Sequence, residues 1–386
     1  MPAPPDVPEE AAEETLLEEI LEQIFLRLPP DEPACLLRAS LTSKRWLALL
    51  SGPQFRSRYR EHHGTLPMLG FLSSTPWYSP KEGGGPAAPP FFSTTGFRAH
   101  GPGDGTAWDC RHGRVLLCDN NSFVEGNGCL AVWDPMTGRR CELPEPEAVY
   151  GQGSYAAAVL CAVSGCDHLA CHEGPFRVVY FYQHRVAGDD FVAQACVSST
   201  DFHRVAEWSD PCPEISVGGH GFVGPRPPLL LNDALHLLLG HASFGGVHYA
   251  EILKYNLTSN SLSLIDAPKA GVDMAKNTVL MALEDGNLGF AHLKRFALYI
   301  WSRHMGSDGV AAWTQRRVIN LRNLLPIQNP TQDITRLLGS VEGSDVIFVT
   351  TDLGIYKIDL KSLQQKKISD IQNLVSLIPY LNFYLP

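Results

Sequence analysis

Apolar residues near the start of the chain recur at helical steps. In Leu16–Pro33, LLEEILEQIFLRLPPDEP, the apolar set is Leu16, Leu17, Ile20, Leu21, Ile24, Phe25, Leu26 and Leu28. That spacing predicts a helix with a broad apolar face, stopped by Pro29 and Pro30. Asp31 is placed to cap a second helix through EPACLLRAS, and Thr42 or Ser43 a third, KRWLALL, which Ser51-Gly52-Pro53 ends. Residues 15–62 therefore read as three short helices with a marginal core of their own. The first helix carries two stripes, Leu16/Ile20/Ile24/Leu28 and Leu17/Leu21/Phe25, with Leu26 outside both. One stripe holds the helix on its neighbours. The other is left for a partner's groove or for packing elsewhere in the chain.

Beyond the helices the period changes. From Arg114 onward, runs of strand length such as RVLLCD, FRVVYFYQ, ALHLLLG, VIFVTTD and GIYKIDL alternate with turn residues. Five stretches share one order, a strand ending in an aromatic or branched residue, a polar turn, and another strand. They are LAVWDPMTGRRCELP, AQACVSSTDFHRVAEW, ILKYNLTSNSLSLID, LYIWSRHMGSDGVAAWTQRRVI and GIYKIDLKSLQQKKIS. Their anchors, Trp133, Val197, Tyr255, Trp301 and Tyr356, fall 64, 58, 46 and 55 residues apart, a loose period characteristic of β-propeller blades with loops of varying length. A sixth, eroded unit falls around MLGFLSSTPW and FFSTTGF, and the final SLIPYLNFYLP is placed to complete the first blade. The expected fold is mainly β with a small α module: helices over 15–62, then a propeller of about six blades over 67–386. A β-sandwich is the competing architecture. Residues 1–14 read as a disordered acidic tail, and 78–106, with seven Gly and five Pro in 29 positions, as a long loop.

Composition narrows the class. A hydrophobic content of 44% excludes global disorder, and a net charge of −10 argues against a nucleic-acid binder. No apolar run approaches the ~18 residues that span a bilayer, so no membrane partner is expected. The acidic, Pro-rich start is unlike a secretory presequence, and ten cysteines then point to reduced thiols in a cytoplasmic and/or nuclear protein. The sequons at Asn120 and Asn256 are chance matches on that reading.

The helical module carries a resemblance. LLEEILEQIFLRLPPDEPACLLRASLTSKRWLALLSGPQF resembles an F-box, the module joining a ubiquitin-ligase substrate receptor to a Skp-type adaptor. The matching residues are Leu16, Glu19, Ile20, Leu21, Ile24, Arg27, Leu28, Pro29 and Pro30, then Leu36, Leu37, Arg38, Lys44, Arg45, Trp46, Leu49, Pro53 and Phe55. Leu17 departs from the pattern, where the family has Pro. The remainder, including VWDPMTGRRCELP and CDHLACHEGPFRVV, is similar to a grass F-box group with a β-rich C-terminal region. The resemblance implies a non-catalytic substrate receptor of an SCF-type ligase, linked through the adaptor to a cullin. The implied adaptor-binding residues are Leu16, Ile20, Leu21, Ile24, Leu28, Pro29, Leu36, Leu37, Lys44 and Trp46, with a plain core tryptophan as the alternative reading of Trp46. An adaptor-bound scaffold, or a small-molecule or glycan sensor, is the alternative. Six basic residues and no acidic one lie between Pro33 and Arg60, a charge able to steer an acidic partner or simply to face solvent.

Motifs for chemistry are sparse, and no cofactor or catalytic residue is expected. CAVSGCDHLACH holds Cys161, Cys166, His168, Cys171 and His172, the densest set of soft ligands, but without the C-x2-C knuckle of zinc sites, so a plain hairpin loop is the preferred reading over a metal. GHGFVG, Gly219–Gly224, runs into PRPP, which precludes a phosphate-binding helix. His236, His241 and His248 are close enough in sequence to converge on one propeller face, or to be ordinary loop and core histidines. The periodic aromatics are expected between blades rather than on a binding platform.

Overall fold

The computed structural model describes residues 9–74, 91–101, 105–118, 130–144, 146, 154–169, 171–187, 190–200, 207–217, 221–223, 226–242, 248–268, 277–306, 309–329, 335–372 and 374–386. The chain divides into two compact units, Met1–Gly70 with Ser93–Arg98 and Leu381–Pro386, and Phe71–Phe92 with Ala99–Tyr380.

Among its described residues the first unit holds four helices rather than three: α1 (Glu9–Leu26), α2 (Ala34–Thr42), α3 (Lys44–Ser51) and α4 (Pro53–His63). Pro53, which ends α3, also opens α4, because proline's missing N–H costs nothing in a first helical turn. Helix α1 starts at Glu9, so the described part of the acidic tail is helical; EEAAEE combines good helix formers with carboxylates near the positive helix end. Asp31 does not cap α2, whose N-cap is Pro33 without a side-chain bond. Ser43 does cap α3, its Oγ accepting from Trp46 N at 3.2 Å.

The marginal helical core is completed from the far end of the chain. Phe383 is buried, and its ring meets Tyr59 edge-on at 6.0 Å. Tyr384 meets Phe97 at 5.0 Å, Asn382 N donates to the Pro67 carbonyl at 3.1 Å, and the Arg56 guanidinium donates to the Pro386 carbonyl. Ser93–Arg98 and Leu381–Pro386, within the stretch 67–386 expected as propeller, group with the helices in this division.

The second unit is a ring of six antiparallel sheets, not the two of a sandwich. Blade 1 has the order β2 (Phe91–Ser93), β1 (Met68–Ser74), β24 (Ser376–Leu381). Blade 2 is β3 (Thr106–Arg111), β4 (Arg114–Cys118), β5 (Leu130–Trp133) and β6 (Arg140–Leu143). Blade 3 is β7 (Tyr155–Cys161), β8 (Phe176–Ala187), β9 (Asp190–Thr200) and β10 (Ile215–Ser216). In blade 4, β11 (Gly221–Val223) and β12 (Leu229–Leu231) both pair with β13 (Ala234–Ala242), followed by β14 (His248–Asn256) and β15 (Ser261–Asp266). Blade 5 is β16 (Thr278–Ala282), β17 (Leu288–Lys294), β18 (Ala297–Met305) and β19 (Ala311–Asn320). Blade 6 is β20 (Arg336–Ser340), β21 (Val346–Thr351), β22 (Gly354–Asp359) and β23 (Gln365–Ser369). The sixth, eroded unit is blade 1, closed by the C-terminal strand as expected, and β2 lies inside the stretch read as a loop. Gly339 in β20 admits no side chain, since a Cβ there would collide with the Leu377 carbonyl of β24.

The core lies between blades. Val132 and Leu116 of blade 2 pack with Val159 and Tyr180 of blade 3, Tyr255 of blade 4 packs with blade 3, and Tyr356 of blade 6 with blade 5. The periodic anchors are therefore packing residues. The turn after three of them recurs in form. Asp134, Asn256 and Asp359 accept backbone N–H groups two residues on, at 2.8–2.9 Å, and the fifth turn residue is left-handed at Gly138, Asn260 and Leu363.

Candidate adaptor-binding surface

On α1, the row Glu18, Glu22, Leu26 meets α3 and α4, running from an exposed end at Glu18 into the core at Leu26. Glu18 pairs with Arg45 at 2.9 Å, Glu22 with Arg58 at 2.7 Å, and Leu26 is buried beside Phe25. Leu26, assigned to neither stripe from sequence, is thus core, because its helical row is the one covered by α3 and α4. With that face satisfied, the opposite stripe stays in solvent: Ile20 and Ile24 are each 50% exposed. A β-branched aliphatic pair left half-exposed on one row is the arrangement of an uncovered contact surface.

The other expected contact residues divide. Leu21, Leu28 and Leu37 are half-buried, while Pro29 and Lys44 are exposed. Trp46 is half-buried, its ring edge-on to Phe25 at 5.0 Å, so it is both core and surface. Leu36, at 1% exposure, is core and unavailable to a partner: the row Leu36/Ser40 is buried, whereas Leu37/Leu41 is the more open row. Leu16 lies in α1, but its side chain is outside the described residues. Sequence reasoning missed Leu41, which is 84% exposed, and Leu47 on α3, which is 45% exposed. The only signal for Leu41 was its i+4 relation to Leu37. The basic stretch is partly neutralised by the two glutamates of α1, which leaves Arg38 and Lys44 as exposed cations of α2 and α3.

In the propeller, one polar network joins four blades. Arg111 of β3 donates to Glu342 Oε2 at 2.8 Å, to Asp109 and to the Pro228 carbonyl, while Glu342 accepts Leu230 N at 2.5 Å and Asp109 accepts Val159 N at 2.8 Å. Asp109 and Arg111, two residues apart on β3, share one face of the strand and are both buried, just past a register shift between Ala107 and Asp109. Burial pushes the Asp109 carboxyl up to about 6, against the pull of Arg111 and the Val159 N–H. A cavity of about 240 Å³ between blades 4 and 5 is lined by His236, Lys254, Arg303 and His304 among others. His236 is buried, and the side chains of His241 and His248 lie outside the described residues. Gly221–Val223 of GHGFVG form β11, an extended strand, and among the described residues no helix follows it to hold a phosphate.

Two family models match the chain. The F-box domain matches residues 14–58, and the family described as F-box protein AT5G49610-like, beta-propeller matches residues 106–381. The chain belongs to this F-box β-propeller family. No curated protein sequence matches it. Solved structures similar to this F-box β-propeller protein include an α-L-arabinofuranosidase (CtGH43) from Clostridium thermocellum, at 13% identity and TM-score 0.30, covering 56% of this chain and 73% of that one. The fission yeast SREBP-SCAP binding domains match at 12% identity and TM-score 0.30 over 73% of this chain and 65% of theirs. The β-propeller domain of the Trilobed protease from Pyrococcus furiosus matches at 12% and 0.30, over 67% and 66%. Likenesses at that level bear on neither its fold nor its activity. The F-box match spans α1 to α3 and much of α4, the elements that carry Ile20, Ile24, Leu41 and Trp46.

Proposed function

We propose that this protein is the substrate-recognition subunit of an SCF-type ubiquitin ligase, acting in the cytoplasm or nucleus. The observation that carries the reading is the half-exposed Ile20/Ile24 row on an F-box helix whose opposite face is already covered. That row docks in the groove of a Skp-type adaptor, the adaptor joins a cullin, and the propeller holds a target protein. No side chain of the receptor reacts. Its contribution is proximity, since holding a target lysine beside a charged thioester raises the effective concentration of the pair.

The test is Ile20→Ala with Ile24→Ala in the full chain. Burying the remaining half of each side chain is worth about 1 kcal/mol, so the double variant binds the adaptor about 30-fold more weakly while the propeller melts unchanged. Undiminished affinity for the adaptor refutes the assignment. Accumulation of a bound protein when the proteasome is blocked separates a degradation receptor from a scaffold. The cation-lined cavity beside His236, Lys254 and Arg303 favours an anionic small molecule as the second reading, checked by ligand-dependent stabilisation of the full chain.

A further inference from the structure

The connection from β7 to β8 gathers the soft ligands that the sequence spacing had set aside. Cys161, Cys166, His168 and Cys171 bring their ligand atoms within 4.8 Å of one another, Cys161 buried and the other three half-buried. His172, the fifth candidate, leaves the group and bonds Asp134 through Nδ1 at 3.0 Å. We propose that Cys161, Cys166, His168 and Cys171 bind one structural zinc ion.

Geometry supports this directly. A tetrahedral zinc with bonds of about 2.3 Å to sulfur and about 2.05 Å to nitrogen has S···N edges of about 3.5 Å and S···S edges of about 3.8 Å. Cys171 Sγ lies 3.6 Å from His168 Nδ1. The spacing C-x4-C-x-H-x2-C departs from the common knuckle, and the backbone supplies the compensation. Left-handed Gly165 and His168 fold the loop back on itself within a few residues.

The surroundings offer donors and a cation to an anionic centre. Val163 N donates to Cys161 Sγ and His168 N to Cys166 Sγ, each at 3.4 Å, so two sulfurs accept peptide N–H groups from their own loop. Three thiolates and a neutral imidazole around a dication leave a net charge of −1. Arg114, wholly buried in β4, sets its guanidinium 3.8 Å from Cys171 Sγ and also donates to the carbonyls of Cys171 and Gly174. Burying that cation is costly without an anion, and the metal centre supplies one. His112, in the β3–β4 turn, stacks on His168 at 3.9 Å and holds the imidazole plane. Four ligands leave no open position, so the role is structural: the ion staples a connection with little regular structure and fastens it to the hairpins of blade 2.

The full chain, purified under reducing conditions, should contain one zinc per molecule, released by a mercurial with the loss of three thiolates as ligands. Replacement by cobalt should give the visible bands of a tetrahedral ion with thiolate-to-cobalt charge transfer. Cys166→Ser and Cys171→Ser should each lower zinc content at least tenfold, while Cys35→Ser and His172→Asn retain it. Should the cysteine variants fail to fold, the cobalt spectrum of the unaltered chain decides. Protein that takes up no zinc or cobalt when supplied with it in reduced form overturns the proposal. So does a cobalt spectrum without thiolate charge transfer, or a disulfide within the cluster in the protein as isolated.

Discussion

Replacing Phe383 with alanine tests whether the C-terminal residues truly belong to the helical unit. Phe383 is 3% exposed and packs on Tyr59, which itself stacks near Phe55 at 5.7 Å and His63 at 4.5 Å and donates its hydroxyl to the Leu28 carbonyl at 2.7 Å. Truncating a buried Phe costs about 3–5 kcal/mol, including the edge-on ring contact of about 1 kcal/mol. A unit of four short helices has a total stability of the same order, ~5 kcal/mol, so the change brings it close to unfolding. The assay is hydrogen exchange in the full-length chain, comparing peptides from α4 with peptides from β4 and β5. A loss of about 3 kcal/mol raises exchange in α4 about 100-fold, because its amides then open locally, while the blade peptides stay protected. On the proposed function adaptor affinity falls with it, although Phe383 is not among the proposed contact residues. A rise in α4 below about threefold, or an equal rise in blade 2, refutes the reasoning.

Two further predictions concern the propeller. Arg111→Ala leaves Asp109 buried without its cation and costs about 3–5 kcal/mol in urea unfolding; adding Asp109→Ala restores part of it, and the single variant's deficit shrinks at pH 5, where the carboxyl accepts a proton. An Arg111→Ala deficit below about 1 kcal/mol contradicts the role assigned to the four-blade network. His236 is held down at about 4 by burial, with Lys254 adding to the effect. The folded state therefore resists protonation, so stability is complete above pH 6.5 and is lost as pH falls toward 4, by up to about 3 kcal/mol. His236→Gln should flatten unfolding free energy across that window, and an unchanged slope would show that other groups govern it.

Much of the architecture follows from local pattern alone. The helical spacing of Leu16–Leu28 defined a helix with an apolar face to spare, and KRW behind a Thr42 or Ser43 cap defined another. Strand, Asx turn and strand recur at Asp134, Asn256 and Asp359, because a short side chain that bonds its own backbone needs no tertiary partner. Those features rest on interactions within a few residues, so they are written where they act. What the tertiary structure decided concerns which of two equivalent choices is covered. Leu36 and Leu37 are alike in sequence, yet one is core and the other half-open. Leu26 belonged to no stripe until Arg45 and Arg58 took up the row ahead of it. Phe383 reads as a strand residue and serves a helical core more than 300 positions away. Arg111 and Glu342, 231 positions apart, meet only because the ring closes. Cys161, Cys166, His168 and Cys171 have no recognised ligand spacing, and converge because two left-handed residues and a buried arginine fold their loop onto the neighbouring blade. Local periodicity specifies faces; ring closure and chain return, which cost entropy over long loops, determine which face meets which.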